Sequence, residues 1–99
     1  MQRAQRKNPE NLDAWGYFQR GMWFLSKITE QDLKRAREML EQSVAADPNF
    51  ASPLAGIGLL GYLEITMGFT TDRVTTLAAT RAAASGAVRL DELDPFAHA

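Results

Sequence analysis

Apolar side chains recur at intervals of three and four along most of the chain, which is the spacing of one face of an α-helix. From Asn11 to about residue 25 they form two neighbouring stripes, one of Trp15, Phe18, Met22 and Leu25 and one of Tyr17, Gly21 and Phe24. Two apolar stripes on one helix predict that it is buried on two sides.

A second helix is predicted from about Glu30 to Ala46, with Thr29 and Asp32 in a capping arrangement at its start. Pro48 disfavours helix beyond that point. Its inward positions are predicted to be Leu33, Ala36, Met39 or Leu40, and Val44. Its charged positions are predicted to face water and to pair within the helix, and they are Lys34, Arg35, Arg37, Glu38 and Glu41.

A third helix is predicted from about Ala51 to Met67, with a proline in its first turn, where the missing N–H costs nothing. Gly68 is expected to take the left-handed conformation after it. A fourth, Ala-rich helix is predicted from about Asp72 to Leu90, followed by a break at DELDPF. No segment alternates as a strand would, so the pattern predicts an all-α fold of two antiparallel helix pairs.

Composition narrows the class of protein. A chain of 99 residues is about one domain, and its formal net charge of −1 provides no field that would recruit nucleic acid or an anionic membrane. The absence of cysteine excludes disulfides, thiolate metal sites and cysteine nucleophiles. No apolar run is long enough to span a membrane, and MQRAQRK is not followed by an apolar signal segment. The sequence therefore predicts a cytoplasmic protein.

Residues 56–61 read GIGLLG, which is the G-x-G-x-x-G spacing of a dinucleotide-binding turn. Such a turn follows a buried strand and needs an acidic residue about twenty positions later. Here DPNFASPLA precedes the glycines and makes a poor strand, and no acidic residue lies near position 80. We therefore expect Gly56, Gly58 and Gly61 to lie in a helix, where small residues allow a second helix to approach, at roughly 1 kcal/mol each relative to Ala.

Proline-containing turns recur at NPEN (8–11), DPNF (47–50) and DPFA (94–97), with the prolines 39 and 47 residues apart. Each interval contains one predicted helix pair, as in a helical solenoid. The predicted organisation is a linker or frayed N-terminal segment, followed by a helical domain over 11–99 with repeat one at about 11–48 and repeat two at about 49–94.

These units resemble tetratricopeptide repeats, whose pattern is W-x₂-L-G-x₂-Y, then A-x₃-F, then P. The first unit matches with Tyr17, Gly21, Phe24, Ala36, Leu40 and Pro48. The second matches with Leu54, Ile57, Gly58, Gly61 and Tyr62, but a small Thr80 or Ala84 replaces the aromatic of its second helix. The resemblance implies a right-handed superhelical array of about two repeats and the start of a third, and a function in protein–protein interaction.

A narrower resemblance covers residues 5–51, through RKNPENLDAW, RGMWFL, T-x-x-D and A-x-x-x-LEQSVAADPNFA. These segments resemble the repeat region downstream of bacterial class III adenylate/guanylate cyclase catalytic domains. The resemblance implies a scaffold or regulatory segment of a cyclase-like signalling protein. It also implies a fragment or truncated relative without the catalytic domain, in which DPFAHA opens a third repeat.

The tetratricopeptide resemblance implies a peptide-binding concave face formed by the first helix of each pair. Its candidate residues are Trp15, Phe18 and Met22 in unit one, and Ser52, Ala55, Leu59 and Tyr62 in unit two. The alternative for the first three is ordinary core packing, which is the usual role of periodic aromatic and Met stripes. Trp23 lies between the stripes and, if exposed, would be an interface anchor. The positions that clamp a peptide carboxylate in some repeat domains are Ser, Ala, Gly and Leu here, so an apolar peptide or helix is the expected ligand.

No set of nucleophile, base and orienting residue can be assembled from this sequence, so an enzyme is not expected and no cofactor is expected. His98 is the single histidine, and a solvated terminal side chain is the expected state for it. Asp91, Glu92 and Asp94 could form a weak metal site, but acidic residues in a terminal turn are usually solvated.

Repeat arrays generally need about three units with polar caps. The far side of the apolar fourth helix is therefore expected to be exposed in a monomer, and we expect a homodimer formed through helix four and residues 91–99. Two alternatives remain, a self-assembling helical unit with no separate peptide ligand and, more remotely, a small nucleotide-binding protein.

Overall fold

The computed structural model describes residues 12–93, with side chains described through residue 90. It contains four α-helices, α1 (Leu12–Leu25), α2 (Glu30–Ala46), α3 (Ser52–Thr66) and α4 (Arg73–Leu93). No strand occurs in this part of the chain, and the predicted all-α fold is confirmed. The predicted linker over 1–10, the opening of a third repeat, Asp94 and His98 lie outside the described residues.

Local sequence signals set most of the helix ends. Thr29 is the N-cap of α2, where its Oγ1 accepts a hydrogen bond from the Asp32 N–H at 3.1 Å and donates one to Asp32 Oδ2 at 2.7 Å. The predicted capping arrangement is therefore confirmed. Pro53 lies in the first turn of α3, and Gly68 takes the predicted left-handed conformation with φ of 74°.

The predicted end of α4 at Leu90 is wrong, because the helix continues to Leu93. The residues of DEL carry no helix-breaking feature. Pro95 is the first residue that opposes continuation, since it disfavours the helical conformation at the residue before it. The helix therefore extends beyond Leu90, where the composition becomes acidic.

Two predictions about the faces of α2 are also wrong. Ser43, not Val44, takes the buried position that follows Leu40, and its Oγ donates to the Ala14 carbonyl oxygen at 2.7 Å. Arg37 does not simply face water or pair within its helix, because its Nη2 lies 2.6 Å from Glu64 Oε1 of α3. In both cases a partner on another helix decides the environment.

Helices α1 and α2 form one antiparallel hairpin, and α3 and α4 form a second. In the first hairpin Ala14 of α1 meets Ser43 near the end of α2, while Gly21 meets Leu40 and Ala36 earlier in α2. The hairpins then pack on each other mainly through α2 and α3. The core lies along this junction and consists of Leu25, Leu33, Ala36, Leu40 and Leu60.

The second hairpin shows why α3 contains so many glycines. Gly58 faces α4, where an added Cβ would lie 3.7 Å from Ala84 Cβ, and an added Cβ at Gly61 would overlap Thr80 Oγ1. Gly56 faces the first hairpin instead, with Leu40 and the Met22 sulfur next to it. The predicted role of these glycines in close helix packing is confirmed, and it positions α4 directly on α3.

Candidate protein-interaction surface

The outer side of α3 exposes a stripe of apolar residues. Ala55, Leu59 and Tyr62 are spaced by four and three positions, which places them on one helical face. Leu59 is 44% exposed and Tyr62 is 60% exposed. This stripe exists because the neighbouring faces of α3 are occupied, one by α4 through Gly58 and Gly61 and another by the core.

The outer side of α4 carries a second apolar stripe. Val74, Leu77, Ala84 and Val88 are all exposed, and their spacings of three, seven and four residues keep them on one side of the helix. Val88 is 56% exposed. The adjacent side of α4 packs on α3, where Thr80 meets Gly61 and Ala84, at the border of the stripe, meets Gly58. The expectation that the far side of helix four is exposed is confirmed for these residues.

The two stripes adjoin at one end of the second hairpin, where Ala55 and Val88 line the same groove. A shallow groove of about 300 Å³ is lined by Ala51, Ser52 and Ala55 of one helix and by Ala87 and Val88 of the other. A second depression of about 350 Å³ shares Val88 with this groove and is lined by α4 residues, which are Ala84, Ser85, Val88 and Arg89. We refer to the exposed residues Ala55, Leu59, Tyr62, Leu77, Ala84 and Val88 as the α3–α4 face.

The α1 candidates have a different environment. Phe18 is half-buried and packs edge-on against the buried Phe50, with ring centroids 5.4 Å apart. Trp15 lies over both rings, at 5.9 Å from Phe18 and 6.3 Å from Phe50. Met22 packs against the core and against Gly56. These side chains join the two hairpins, so packing accounts for much of their apolar surface.

Trp23 is 58% exposed and lies on another side of α1 from Trp15, Phe18 and Met22. Its ring packs edge-on against Phe24, and the Lys27 Nζ lies 4.1 Å from its centroid. The structure therefore divides the eight predicted residues into three environments. Ser52, Ala55, Leu59 and Tyr62 lie along the outer side of the second hairpin, Trp15, Phe18 and Met22 lie at the junction, and Trp23 is by itself on α1.

A polar groove of about 450 Å³ lies on the other side of the second hairpin, between α2 and the start of α4. It contains the Arg37–Glu64 ion pair and several threonines. At its edge Asp72 caps α4, accepting hydrogen bonds from the Thr75 N–H at 3.0 Å and the Thr75 hydroxyl at 2.7 Å. These bonds to the carboxylate lower the pKa of Asp72 below its ordinary value of 3.8. Within the groove Arg37 and Glu64 pair with each other, and the Thr70 and Thr76 hydroxyls share a hydrogen bond of 2.7 Å.

The helical position predicted for the G-x-G-x-x-G segment is confirmed. GIGLLG lies inside α3, after its first turn, rather than at a turn between a strand and a helix. No group of three or more metal-ligating side chains occurs in the searched part of the chain. None of the described helices combines the length and the apolar character required to cross a membrane.

Sequence reasoning missed the α4 half of the surface as a set of particular residues. The signal in the sequence was the recurrence of Leu77, Ala84 and Val88 at helical spacing, which places them on one side of α4. Choosing that side required knowing that Gly58 and Gly61 dock against Ala84 and Thr80. Comparisons of the chain with protein-family models, with curated proteins and with solved structures gave no match.

Proposed function

We propose that this chain is a non-catalytic protein–protein interaction module and that the α3–α4 face is its binding surface. The proposal rests on one observation, which is that the exposed apolar residues of this face lie next to one another. Exposed apolar residues that are scattered singly are normal, whereas contiguous ones mark interaction sites. Leu59, Tyr62 and Val88 are each about half exposed or more, and a groove joins their two helices.

The mode of packing inside the molecule supports the same proposal. The first hairpin buries its α2 side on α3, and the second hairpin has an equivalent outer side with no third hairpin on it among the described residues. In stacked helical hairpins each unit covers the apolar face of the previous one. A partner helix lying between α3 and α4 would bury that face in the same way.

The two sequence resemblances make the proposal more specific. By these resemblances, the module is a tetratricopeptide-type scaffold or regulatory segment of a cytoplasmic, cyclase-like signalling protein. We do not extend the proposal to nucleotide binding, because its motif lies within a helix. A homodimer is the second candidate, and the same exposed face favours it, since two copies could cover each other.

Site-specific photo-cross-linking tests the proposal. Benzoylphenylalanine replaces Tyr62 on the face, and in a matched control it replaces Gln42, which is exposed on α2. Each protein is irradiated in a lysate of the source cells. We expect a defined adduct from position 62 and none from position 42.

A variant that carries both Leu59→Ser and Val88→Ser should lose the adduct while keeping its helical circular dichroism, because both side chains are already about half exposed. An adduct of twice the chain mass identifies the homodimer. Equal adducts from both positions, or none from position 62, would overturn the proposed surface.

A further inference from the structure

The α3–α4 face carries positive charge and, within residues 52–90, no acidic side chain among its outer positions. Residues 73–90 of α4 include three arginines and no Asp or Glu. Arg81 is exposed and lies four residues after Leu77 and three before Ala84, so it stands in the middle of the α4 stripe. Arg89 lines the groove next to Val88.

Arg81 is also far from acids along its own helix. The nearest carboxylates in the sequence are Asp72 and Asp91, nine and ten positions away. At 1.5 Å per residue this is a separation of roughly 14 Å along the axis, which exceeds the Debye length of about 8 Å at physiological salt. Within residues 12–90 the resolved ion pair is Arg37–Glu64, on the other side of the hairpin.

The α3 half of the face contributes no charge. Its outer positions are Ser52, Ala55, Leu59, Tyr62 and Thr66. The face as a whole is therefore apolar, with Arg81 within its α4 stripe and Arg89 beside Val88 at one end. A complementary surface would be apolar with carboxylates beside its apolar stripe.

We propose that the partner of this face is an amphipathic helix whose apolar stripe is flanked by Asp or Glu, and that Arg81 selects for those carboxylates. This inference rests on the proposed function of the face. The groove runs between two antiparallel helices and presents apolar residues at helical intervals, which suits a helix better than an extended strand.

A second copy of the chain fits this face less well. A two-fold pairing of α4 with α4 brings the arginines of one copy towards those of the other, and no carboxylate lies among the outer positions of either helix within residues 52–90. Like charges placed together across an interface oppose binding. Self-association is accordingly an outcome that would count against the inference.

A peptide library of controlled charge tests the inference. Displayed peptides of about 18 residues, or five helical turns, share a fixed apolar stripe of Leu, Ile and Ala, and each flanking position is Glu, Gln or Lys in equal proportion. Selection uses the whole chain, the Arg81→Glu variant, and a Lys34→Glu variant as the matched control. Lys34 is an exposed cation on α2 that undergoes the same charge change away from the face.

We expect Glu to be enriched at the flanking positions on the wild-type chain and on Lys34→Glu, and Lys to be enriched on Arg81→Glu. An exposed ion pair contributes about 0.2–1 kcal/mol. Replacing this attraction by a repulsion of similar size should therefore change affinity roughly two- to thirtyfold. Fluorescence anisotropy of a selected peptide should show weaker binding as salt is raised.

Binders with no charge preference would overturn the inference and leave the proposed function standing. Enrichment of Lys on the wild-type chain would also overturn the inference. Failure to select any peptide whose binding requires Leu59 and Val88 would overturn both. Light scattering that shows a concentration-dependent dimer lost in the Leu59→Ser/Val88→Ser variant would replace the acidic helix with a second copy.

Discussion

The contact between Gly61 and Thr80 makes the packing of α4 on α3 directly testable through the Gly61→Ala substitution. An added methyl group would overlap Thr80 Oγ1 and would lie 3.0 Å from Thr80 Cβ. Rotating the hydroxyl away would break the hydrogen bond that it donates to the Thr76 carbonyl oxygen at 2.7 Å. It would not move Cβ, so the two helices would have to separate.

Opposing terms decide the size of this effect. Overpacking a helix contact costs about 1–3 kcal/mol, and a lost hydrogen bond costs about 1 kcal/mol. Alanine regains about 1 kcal/mol in a helix relative to glycine. The expected result is a net loss of about 1–3 kcal/mol in the free energy of unfolding.

Gly16→Ala is the matched control, because Gly16 lies inside α1 with no atom within 4 Å of an added Cβ. Here only the gain in helix propensity applies, so stability should rise by up to about 1 kcal/mol. Urea and thermal unfolding followed at 222 nm would measure both variants, and for a domain of this size 1 kcal/mol corresponds to about 4–8 °C in Tm.

A double-mutant cycle isolates the contact. In a Thr80→Ala background the overlapping Oγ1 and the nearby Cγ2 are gone, so Gly61→Ala should cost at least about 1 kcal/mol less than in the wild type. If Gly61→Ala stabilised the chain as much as Gly16→Ala does, α4 would not pack on α3 as described, and the derivation of the α3–α4 face would fail.

Three further predictions concern single hydrogen bonds and one strained residue. Ser43→Ala removes the buried hydrogen bond to the Ala14 carbonyl and should cost about 1 kcal/mol in urea unfolding; unchanged stability would contradict this. Ile28 is a β-branched residue with φ of 51°, so Ile28→Gly should raise stability by roughly 0.5–1 kcal/mol, and a drop in Tm would refute the strain. Because the folded pKa of Asp72 lies below its ordinary value, its contribution is complete above that value and is lost as pH falls through the folded pKa. Asp72→Asn keeps a capping side chain but cannot titrate, so its unfolding free energy should fall less than that of the wild type on acidification; parallel pH profiles would exclude this role.

The sequence predicted the elements well where the signals are local. The bounds of α2 follow from Thr29 and from the turn at Pro48, and Gly68 follows from the need for a left-handed residue after α3. The end of α4 was missed because the acidic residues after Leu90 were interpreted as a break, whereas a helix tolerates them until proline intervenes.

Long-range pairing explains the remaining errors. A buried serine such as Ser43 is acceptable only because α1 supplies the Ala14 carbonyl, and Arg37 turns inward only because Glu64 meets it. Phe50 lies in a turn by its local sequence, yet it is buried between the hairpins. Residue spacing alone does not encode which distant partner fills each of these positions.

The candidate surface could likewise be predicted only in part from the sequence. The exposed positions of α3 were predicted through the resemblance to tetratricopeptide repeats, which implies a binding face on the first helix of each pair. The positions of α4 could not be chosen, because a helix composed largely of Ala, Thr and Ser has no strongly apolar side. Arg81 could be placed on the exposed side of α4 only once the contact of Gly58 with Ala84 had identified the side that packs on α3.

Amide chemical-shift mapping would test the central claim most directly. A ¹⁵N-labelled chain is titrated with the peptide most enriched in the charge-controlled selection, and the Leu59→Ser/Val88→Ser variant serves as the control. The account predicts the largest shifts between residues 55 and 62 and between residues 77 and 88, and their loss in the variant. Shifts confined to α1 and α2, or shifts retained in the variant, would contradict the assignment of the α3–α4 face as the binding surface.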